Sequence, residues 1–449
     1  MEKAQLVVGH VGTETARIWG RGNAQHRVMH VEATSSCGQA VKDSVELTAE
    51  NGFTGVAQLS SLQPDTDYQV EVRYGDHGPS ARGEFNTVPG PDQSRPFSML
   101  LNSCNFHGWG PIRDNDQAIE RRRDIARGVD MVIHAGDQVY ADKAPISFSL
   151  QEFRQAYDKA WTRPATAELL SSQANYMLAD DHEVVNGFAL DGELTAFQRA
   201  LLWVRGHGGP REEQYQELTA NGLKAYQEFQ NSLSPGTYGD NKQYYTFSHG
   251  KHQFFALDTR FERHNGQRQM ISPEQQEALF AWLSQHREVP KFIITSSPFV
   301  MEKIDSEEKW SSPEFSAQRH QIIEFLAEQN IDKVTFLAGD IHASGHATME
   351  IERAEGKPLV VHELCASPVN GTKQRRLDEF HLSSQHTTEA GVRFRTRIDP
   401  ETFLGKEDWG GISNSSVMKI HVDGDEVRYE IHRTRQSEPG PARQGQFTM

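Results

Sequence analysis

Residues 131–142 read MVIHAGDQVYAD, and this stretch decides how the rest of the chain is interpreted. The apolar run Met131-Val132-Ile133 has the composition of a buried strand, and Gly136 lets the backbone turn sharply where a side chain would clash. Asp137 and Tyr140 then fall on the loop that leaves the strand. In open α/β sheets, sites form just beyond the carboxyl ends of strands, so both side chains are candidates for chemistry. A turn with a helix cap is the alternative interpretation of this stretch alone.

The same pattern, an apolar run followed by a polar cluster, occurs three more times along the chain. Residues 97–101 lead into Asn102-Ser103-Cys104-Asn105, residues 176–179 into Asp180-Asp181-His182-Glu183 and Asn186, and residues 334–338 into Gly339-Asp340-Ile341-His342. Four predicted strand ends therefore supply thiol, carboxylate, imidazole, amide and phenol groups. Such a combination points to a single site built where the strands end.

In order and chemistry, five motifs resemble the PhoD-type alkaline phosphatase and phosphodiesterase family of the metallophosphoesterase superfamily. They are Ser103-Cys104-Asn105, residues 136–142 (GDQVYAD), Asp180-Asp181-His182-Glu183, Leu257-Asp258-Thr259-Arg260 and Gly339-Asp340-Ile341-His342. The resemblance extends from the amino-terminal domain to about Arg435. It implies an α/β catalytic domain of αββα layers that hydrolyses phosphate monoesters or diesters with metal-activated water. One segment departs from the wider superfamily, because Ser296-Ser297-Pro298 stands where His-x-Pro is usual, and weaker zinc binding is expected.

The ligand types of this site suggest which cations it holds. Asp137, at the central strand end, is the candidate bridge between two metals. Cys104 and Tyr140 bind only as anions, and their ordinary pKa values of about 8.5 and about 10 call for a highly charged cation such as Fe(III). The other candidate ligands are rich in oxygen and suit Ca²⁺ or Mg²⁺: Asp181, Asn186, Asp340 and His342. The resemblance implies iron paired with calcium, with Mn²⁺, Mg²⁺ and Zn²⁺ as alternatives.

Two residues beside the ligands are candidate catalytic groups. His182 is placed to protonate the leaving group or to hold the transition state, and support of the ligands by hydrogen bonds is its alternative role. Arg260 could clamp a phosphate oxygen with two N–H groups, or pair with Asp258 or another neighbour. His346 is interpreted as hydrogen-bonding support. Of the remaining residues, Cys37 and Cys365 are predicted to pack in the interior, and His107, Trp109, His134 and Glu363 are candidates to line the pocket.

The chain divides into an amino-terminal and a catalytic domain. Residues 1–91 alternate as in strands and are predicted to form a β-sandwich similar to fibronectin type III domains, in which Tyr68 ties a strand to the preceding loop. Residues 95–435 alternate strands with helices and form the catalytic domain. Within it, residues 187–232 are a polar insertion, interpreted either as a lid or substrate wall or as a surface excursion. Residues 436–449 are expected to be a disordered tail.

Composition limits the partners. The 62 acidic and 46 basic residues give a net charge of −16, which argues against a nucleic-acid-binding face and leaves bound cations to attract a small or polymeric phosphate ester. No run reaches the ~20 apolar residues of a membrane helix. The start, MEKAQLVVGHVG, lacks a signal core, so a cytoplasmic location is expected, or export if a leader has been removed. The three cysteines form no disulfide framework.

The rival interpretation is a non-catalytic protein that binds a metal or a partner on a degenerate phosphoesterase scaffold. Six of the ligand candidates argue against it, because a scaffold has no use for six convergent ligands: Cys104, Asp137, Tyr140, Asp181, Asp340 and His342. Metal analysis of the purified protein is the observation that separates the two. The sequence leaves the oligomeric state open.

Overall fold

Seven strands in two facing sheets form the amino-terminal part of the computed structural model, which describes residues 4–91, 93, 95–106, 116–143, 145–239, 241–353, 355–371, 374–406, 414–436 and 440–449. The strands are β1 (Gln5–Val11), β2 (Thr15–Arg21), β3 (Val28–Ser35), β4 (Ala40–Glu46), β5 (Thr54–Ser60), β6 (Asp67–Tyr74) and β7 (Ser80–Asn86). One sheet has the order β1-β2-β5 and the other β4-β3-β6-β7. The predicted β-sandwich is confirmed.

Alternating burial explains why these residues form a sandwich. Along β6, Tyr68, Val70, Val72 and Tyr74 turn into the core, while the residues between them face outward. The Tyr68 hydroxyl accepts a hydrogen bond from the Gln63 backbone N–H at 2.8 Å and so ties β6 to the preceding loop. Tyr68 therefore has the structural role predicted for it.

The sandwich is fixed to the catalytic part by polar and apolar contacts. Trp19 is fully buried and its indole N–H donates to the Glu228 carbonyl at 2.8 Å. Asn175 Nδ2 donates to the Val8 carbonyl at 3.0 Å, and His10 Nδ1 lies 3.1 Å from the Tyr176 hydroxyl. Because these contacts are buried, the sandwich and the catalytic part share one interior.

The catalytic part alternates strands and helices, as expected from the sequence. Its first elements are β8 (Phe97–Asn102), α1 (Asp116–Ala126), β9 (Met131–Ala135), α2 (Leu150–Trp161), α3 (Pro164–Ser171), β10 (Ala174–Leu178), α4 (Ala196–Val204), α5 (Arg211–Phe229), β11 (Tyr245–His249), β12 (His252–Ala256), α6 (Pro273–Gln285) and β13 (Lys291–Ile294). They are followed by α7 (Ser316–Glu328), β14 (Val334–Ala338), β15 (Gly345–Ile351), β16 (Leu359–Cys365), β17 (Ser383–Thr387), β18 (Arg393–Ile398), β19 (Ser416–Asp423), β20 (Glu426–Arg433) and β21 (Arg443–Thr448). Two sheets result, with the orders β10-β9-β8-β19-β20-β21 and β11-β12-β13-β14-β16-β15-β18-β17.

Successive residues of one strand face different cores, which produces four layers. On β9, Ile133 packs between the two sheets, whereas Val132 packs against the helices that cover the first sheet. On β13, Phe292 lies between the sheets and Ile293 faces the helices of the second sheet. Strands buried on both faces are apolar throughout, as the Met131 run is. The predicted αββα architecture is confirmed.

The segment predicted as an insertion contains two helices that behave differently. Leu218, Ala225 and Phe229 of α5 share a core with Phe153 of α2, so α5 belongs to the helical layer. In α4, by contrast, Leu202 is the one buried residue. No helix within the described ranges is long and apolar enough to cross a membrane.

The predicted disordered tail at residues 436–449 is wrong for its described part. Strand β21 pairs antiparallel with β20, and Phe447 lies opposite Val427. The Phe447 ring stacks on His362, with 3.9 Å between the ring centroids. A polar composition suggested disorder, but backbone pairing along an open sheet edge needs few apolar side chains, and one aromatic ring here reaches the interior.

Candidate metal centre

The ends of four parallel strands bring the predicted ligands together. The loops after β8, β9 and β14 are tied to one another by hydrogen bonds: Cys104 N donates to the Gly136 carbonyl at 3.3 Å and Asp340 N to Ser103 Oγ at 3.2 Å. Gly136, with φ of 94°, sits where an added Cβ would come within 2.5 Å of Asp180 Cβ. This close approach of the β9 and β10 loops therefore requires glycine.

Four of the predicted ligands have a backbone conformation that side chains disfavour. Cys104, Asp137, Asp340 and His342 have φ values of 54°, 57°, 66° and 54°. Left-handed backbone in residues other than glycine costs of order 1–3 kcal/mol each and clusters at functional sites. Packing of the surrounding fold must therefore offset the conformational free energy that these four left-handed residues cost.

Asp137, Asp181 and His182 form the group best placed to hold a metal. Each offers a ligand atom, and these atoms lie within 4.8 Å of one another. Burial raises the pKa of Asp137 well above its ordinary value, and His182 partly offsets this. The pKa of Asp181 is lowered despite its burial, because His182 and Arg260 are near and the Gly187 N–H donates to its Oδ2 at 2.6 Å.

Tyr140 and Cys104 complete the side of the site around Asp137. Among the described residues the buried Tyr140 hydroxyl has no hydrogen-bond partner, while its ring stacks on His182 at 4.2 Å. The Cys104 thiol accepts from Ser367 Oγ at 3.1 Å. Burial raises the pKa of both groups, and the Asp137 charge raises it further. An orphaned phenol oxygen beside a thiol and a carboxylate fits a cation well, because a cation would stabilise all three anions.

His182 is held by a carboxylate to which sequence reasoning gave no role. Its Nδ1 lies 2.8 Å from Asp142 Oδ1. Burial lowers the pKa of His182, but Asp181, Asp142 and Asp137 outweigh burial and raise it to about 10. The signal for Asp142 was the second carboxylate of the GDQVYAD motif.

Glu183 is a second residue of this kind, since its carboxylate positions the loops that carry the ligands. It accepts hydrogen bonds from the backbone N–H groups of Asp137 at 3.0 Å, Gln138 at 2.7 Å and Asp180 at 2.9 Å. Burial raises the pKa of Glu183 to about 7. Glu183 lies in the Asp180-Asp181-His182-Glu183 motif, but the spacing of that motif does not show that its carboxylate binds backbone N–H groups of the neighbouring loops.

Arg260 is buried and takes the ion-pairing role that was its alternative. Its Nε contacts Asp180 Oδ1, and the Asp258 carboxylate accepts instead from the Arg260 backbone N–H at 3.0 Å. Ser296, where the superfamily usually has histidine, also donates to Asp180 Oδ1, at 3.0 Å. One guanidinium nitrogen, Nη2, has no hydrogen-bond partner among the described residues.

Asp340 and His342 occupy the loop after β14, on the side of the second sheet. Lys309 Nζ contacts Asp340 Oδ2. The His342 backbone N–H donates to the same Ser367 Oγ that contacts Cys104, at 3.1 Å. Lys309 was missed because the loop that carries it has no motif. Asn186 lies at the exposed rim, where its backbone N–H donates to Asp142 Oδ2 at 3.2 Å.

Several secondary candidates lie elsewhere. His346 is on β15 and pairs with His362, with 3.0 Å between Nε2 and Nδ1, away from the ligand group. His134 is fully buried between Gln138 and Asn175, and Glu363 accepts from backbone N–H groups of residues 299–301, so both are structural. Cys365 is buried as predicted, but Cys37 is exposed on a turn, so the prediction that it packs is wrong. His107 and Trp109 lie outside the described residues.

Two sheets stacked between helices, with anionic side chains at the strand ends, define a metallophosphoesterase fold. A solved structure of PhoD is 16% identical, covers 99% of this chain and 88% of its own, and superposes with a TM-score of 0.74. The purple acid phosphatase from yellow lupin (Lupinus luteus) seeds is 12% identical, with a TM-score of 0.65, and covers 99% of this chain and 74% of its own. These likenesses establish the fold.

A family model described as PhoD-like phosphatase matches residues 102–403, so the chain belongs to the PhoD-like phosphatase family. Alkaline phosphatase D from Bacillus subtilis (strain 168) is 23% identical over 346 residues, which is 66% of this chain. The match spans 54% of that relative, about half its length.

Proposed function

We propose that the protein hydrolyses phosphate monoesters or diesters with metal ions bound at the strand ends. The observation that carries the proposal is the buried group Asp137, Cys104 and Tyr140. None of the three forms an ion pair with a lysine or arginine of the described residues. Burial raises the pKa of each group, and cations bound here would stabilise all three as anions, which is the reason to expect metals.

The donor types support an unequal pair of cations. A thiolate beside a phenolate favours Fe(III), and the carboxylates of Asp181 and Asp340 favour Ca²⁺. When bound, such cations neutralise phosphate oxygens and provide a nucleophilic water. Asp137, at the centre of the group, is the ligand that both cations would share.

The chain's own groups bind and orient the ester. Asp142 fixes His182 through Nδ1, which leaves Nε2 to hold a proton for the leaving oxygen. Arg260 holds Asp180 in place through an ion pair, so it acts through that carboxylate. Because the Bacillus relative is an alkaline phosphatase, a phosphate monoester is the first substrate to test, with a diester beside it.

The experiment measures metal content and hydrolysis of p-nitrophenyl phosphate and bis(p-nitrophenyl) phosphate together. Asp137→Asn should lose bound metal and roughly 10³-fold in rate, because several kcal/mol of charge stabilisation are removed. Asp76→Asn, on the exposed surface of the sandwich, is the matched control and should keep both. Near wild-type turnover in folded Asp137→Asn would refute the proposal. A metal-binding protein without activity on either ester would support the non-catalytic alternative.

A further inference from the structure

A cavity of about 250 Å³ lies beside the candidate metal centre, and Tyr140 belongs to both. The Tyr140 hydroxyl is buried near Asp137. Its ring packs edge-to-face on Phe106, with 5.1 Å between the ring centroids, and both residues line the cavity. An ester whose phosphate group lies at the metal centre can therefore extend its organic part past Tyr140 into the cavity.

One face of helix α2 forms a wall of this cavity. The lining residues of α2 have the i, i+3, i+4, i+7, i+8 spacing of a single helix face: Glu152, Gln155, Ala156, Lys159 and Ala160. The two alanines leave space that longer side chains would fill. Cavities for drug-sized ligands measure roughly 300–1,000 Å³, so this smaller one suits a single ring with one substituent.

The segment at 187–232 closes part of the cavity through Arg205, the residue that follows α4. Arg205 lines the cavity and contacts the Glu152 carboxylate and the Ile146 carbonyl. His207 packs against Phe148, with 4.7 Å between the ring centroids. The segment is therefore fixed at this point, and it supplies one wall of the cavity.

Three cations line the cavity, and one of them has no anionic partner. Arg205 is paired with Glu152, and Lys143 Nζ lies 3.2 Å from Asp142 Oδ2. The exposed Lys159 forms no hydrogen bond or ion pair through its side chain with any of the described residues. In a chain of net charge −16, an unpaired cation beside an apolar wall favours a ligand with an anionic group.

We propose that this cavity is a subsite for the organic part of the phosphate ester, and that it selects an alcohol or phenol with one ring-sized apolar body and a negatively charged substituent. The rings of Phe106 and Tyr140 and the alanines of α2 contact the apolar body, and Lys159 binds the charged substituent. Lys159 is then a residue that determines specificity. The inference rests on the proposed hydrolysis of phosphate esters, because it names the class of ester.

The test measures binding of two phosphonates, in which a carbon–phosphorus bond replaces the ester bond and prevents hydrolysis. 4-Carboxybenzylphosphonate carries the negative substituent, and 4-carbamoylbenzylphosphonate is its neutral counterpart of nearly the same size. Isothermal titration calorimetry of the purified protein with its metal ions gives both dissociation constants. The wild type should bind the carboxylate about fivefold more tightly, which corresponds to about 1 kcal/mol, the upper value for an exposed ion pair.

Two variants and one control locate this preference. Lys159→Gln should abolish the preference for the carboxylate, whereas Lys42→Gln, which removes an exposed lysine of the sandwich, should keep it. Ala156→Leu fills the cavity, so it should weaken binding of both phosphonates at least tenfold relative to inorganic phosphate. Thermal melting checks that each variant is folded, and Lys159→Gln tests the proposal even if Ala156→Leu melts early, because Lys159 is exposed.

Two results would overturn the subsite: equal affinities of the two phosphonates in the wild type, or a preference for the carboxylate that persists in Lys159→Gln. Failure of the proposed function looks different, since the phosphonates would bind with the expected selectivity while p-nitrophenyl phosphate is not hydrolysed. Hydrolysis of that ester without binding of either phosphonate would keep the function and overturn the subsite. Protein that neither binds the phosphonates nor hydrolyses the ester would overturn both.

Discussion

The two sides of the candidate metal centre balance their charges differently. Two of the carboxylates at the strand ends are paired with cations of the protein itself, since Arg260, after β12 of the second sheet, contacts Asp180, after β10 of the first, and Lys309 contacts Asp340. Asp137, after β9, instead lies beside a thiol and a phenol, and His182 only partly offsets the rise in its pKa that burial causes. The same fold thus completes one set of ion pairs and leaves another anionic group for metals. The difference identifies where a bound cation would contribute most.

Arg260→Met is expected to have the largest effect on stability, because it leaves Asp180 buried without its partner. Loss of one member of a buried ion pair costs about 3–5 kcal/mol. Urea unfolding of metal-free protein measures this loss. In the same assay Asp137→Asn should leave the free energy of unfolding nearly unchanged or raise it, because Asp137 has no lysine or arginine partner among the described residues and burial already raises its pKa. Equal losses in both variants would contradict the comparison, and Asp180→Asn/Arg260→Met should recover part of the first loss.

Added metal cations should stabilise the metal-free protein by binding the group around Asp137, which has no lysine or arginine partner among the described residues. At a hundred times the dissociation constant, binding to the native state adds about 2.7 kcal/mol to the free energy of unfolding. Differential scanning calorimetry with Ca²⁺ or Fe(III) measures the gain, which Asp137→Asn should lose and Asp76→Asn should keep. A gain that survives in Asp137→Asn would place the cations elsewhere.

Lys309→Met tests whether the Asp340 carboxylate is a metal ligand or only the ion-pair partner of Lys309. If the ammonium competes with Ca²⁺ for the carboxylate, its removal should tighten calcium binding about tenfold, or about 1.4 kcal/mol. Isothermal titration calorimetry measures the change, with the exposed Lys251→Met as control. Weaker binding, or none of the expected gain, would mean that Lys309 supports the site instead.

Of the substitutions considered, Tyr140→Phe should change the free energy of unfolding least, but it should change the visible absorption of the iron-loaded protein. A phenolate bound to Fe(III) gives a visible charge-transfer band, which calcium and zinc sites do not. The band should disappear in Tyr140→Phe, shift in Cys104→Ser and persist in Tyr238→Phe, whose side chain is exposed. Colourless protein with stoichiometric oxidised iron would show that Tyr140 is not a ligand.

The strand ends of the site could be predicted because local sequence determines them. The strands before Cys104, Asp137, Asp181 and Asp340 are mostly apolar and buried on both faces, and the polar clusters follow at their ends. Their convergence therefore needs only the rule for parallel strands. The ion-pair partners of these carboxylates, by contrast, have no signal in the local sequence. Nothing near Lys309 in sequence points to Asp340, and the choice of Asp180 over Asp258 by Arg260 depends on how two distant loops meet.

Two predictions that rested on residue composition failed, because strand pairing in one segment and the exposure of apolar side chains in the other do not follow from composition. The tail was judged by its polar residues, yet β21 is held by the backbone of β20 and by a single ring, Phe447. The segment at 187–232 was described as polar, yet α4 within it exposes the apolar side chains of Phe197, Trp203 and Val204. In both cases the deciding fact is what lies next to the segment in space, which residue content does not record.

Strand β21 also determines which edge the first sheet shows to other molecules. An unpaired strand offers a row of N–H and C=O groups that another chain can join, and polar or charged edge residues discourage this. Strand β21 carries the polar residues Arg443, Gln444 and Gln446, while β20, with which it pairs, contains Val427, Tyr429 and Ile431. Without β21 the more apolar β20 would form the edge, so β21 is expected to lower the tendency of the first sheet to pair with other chains.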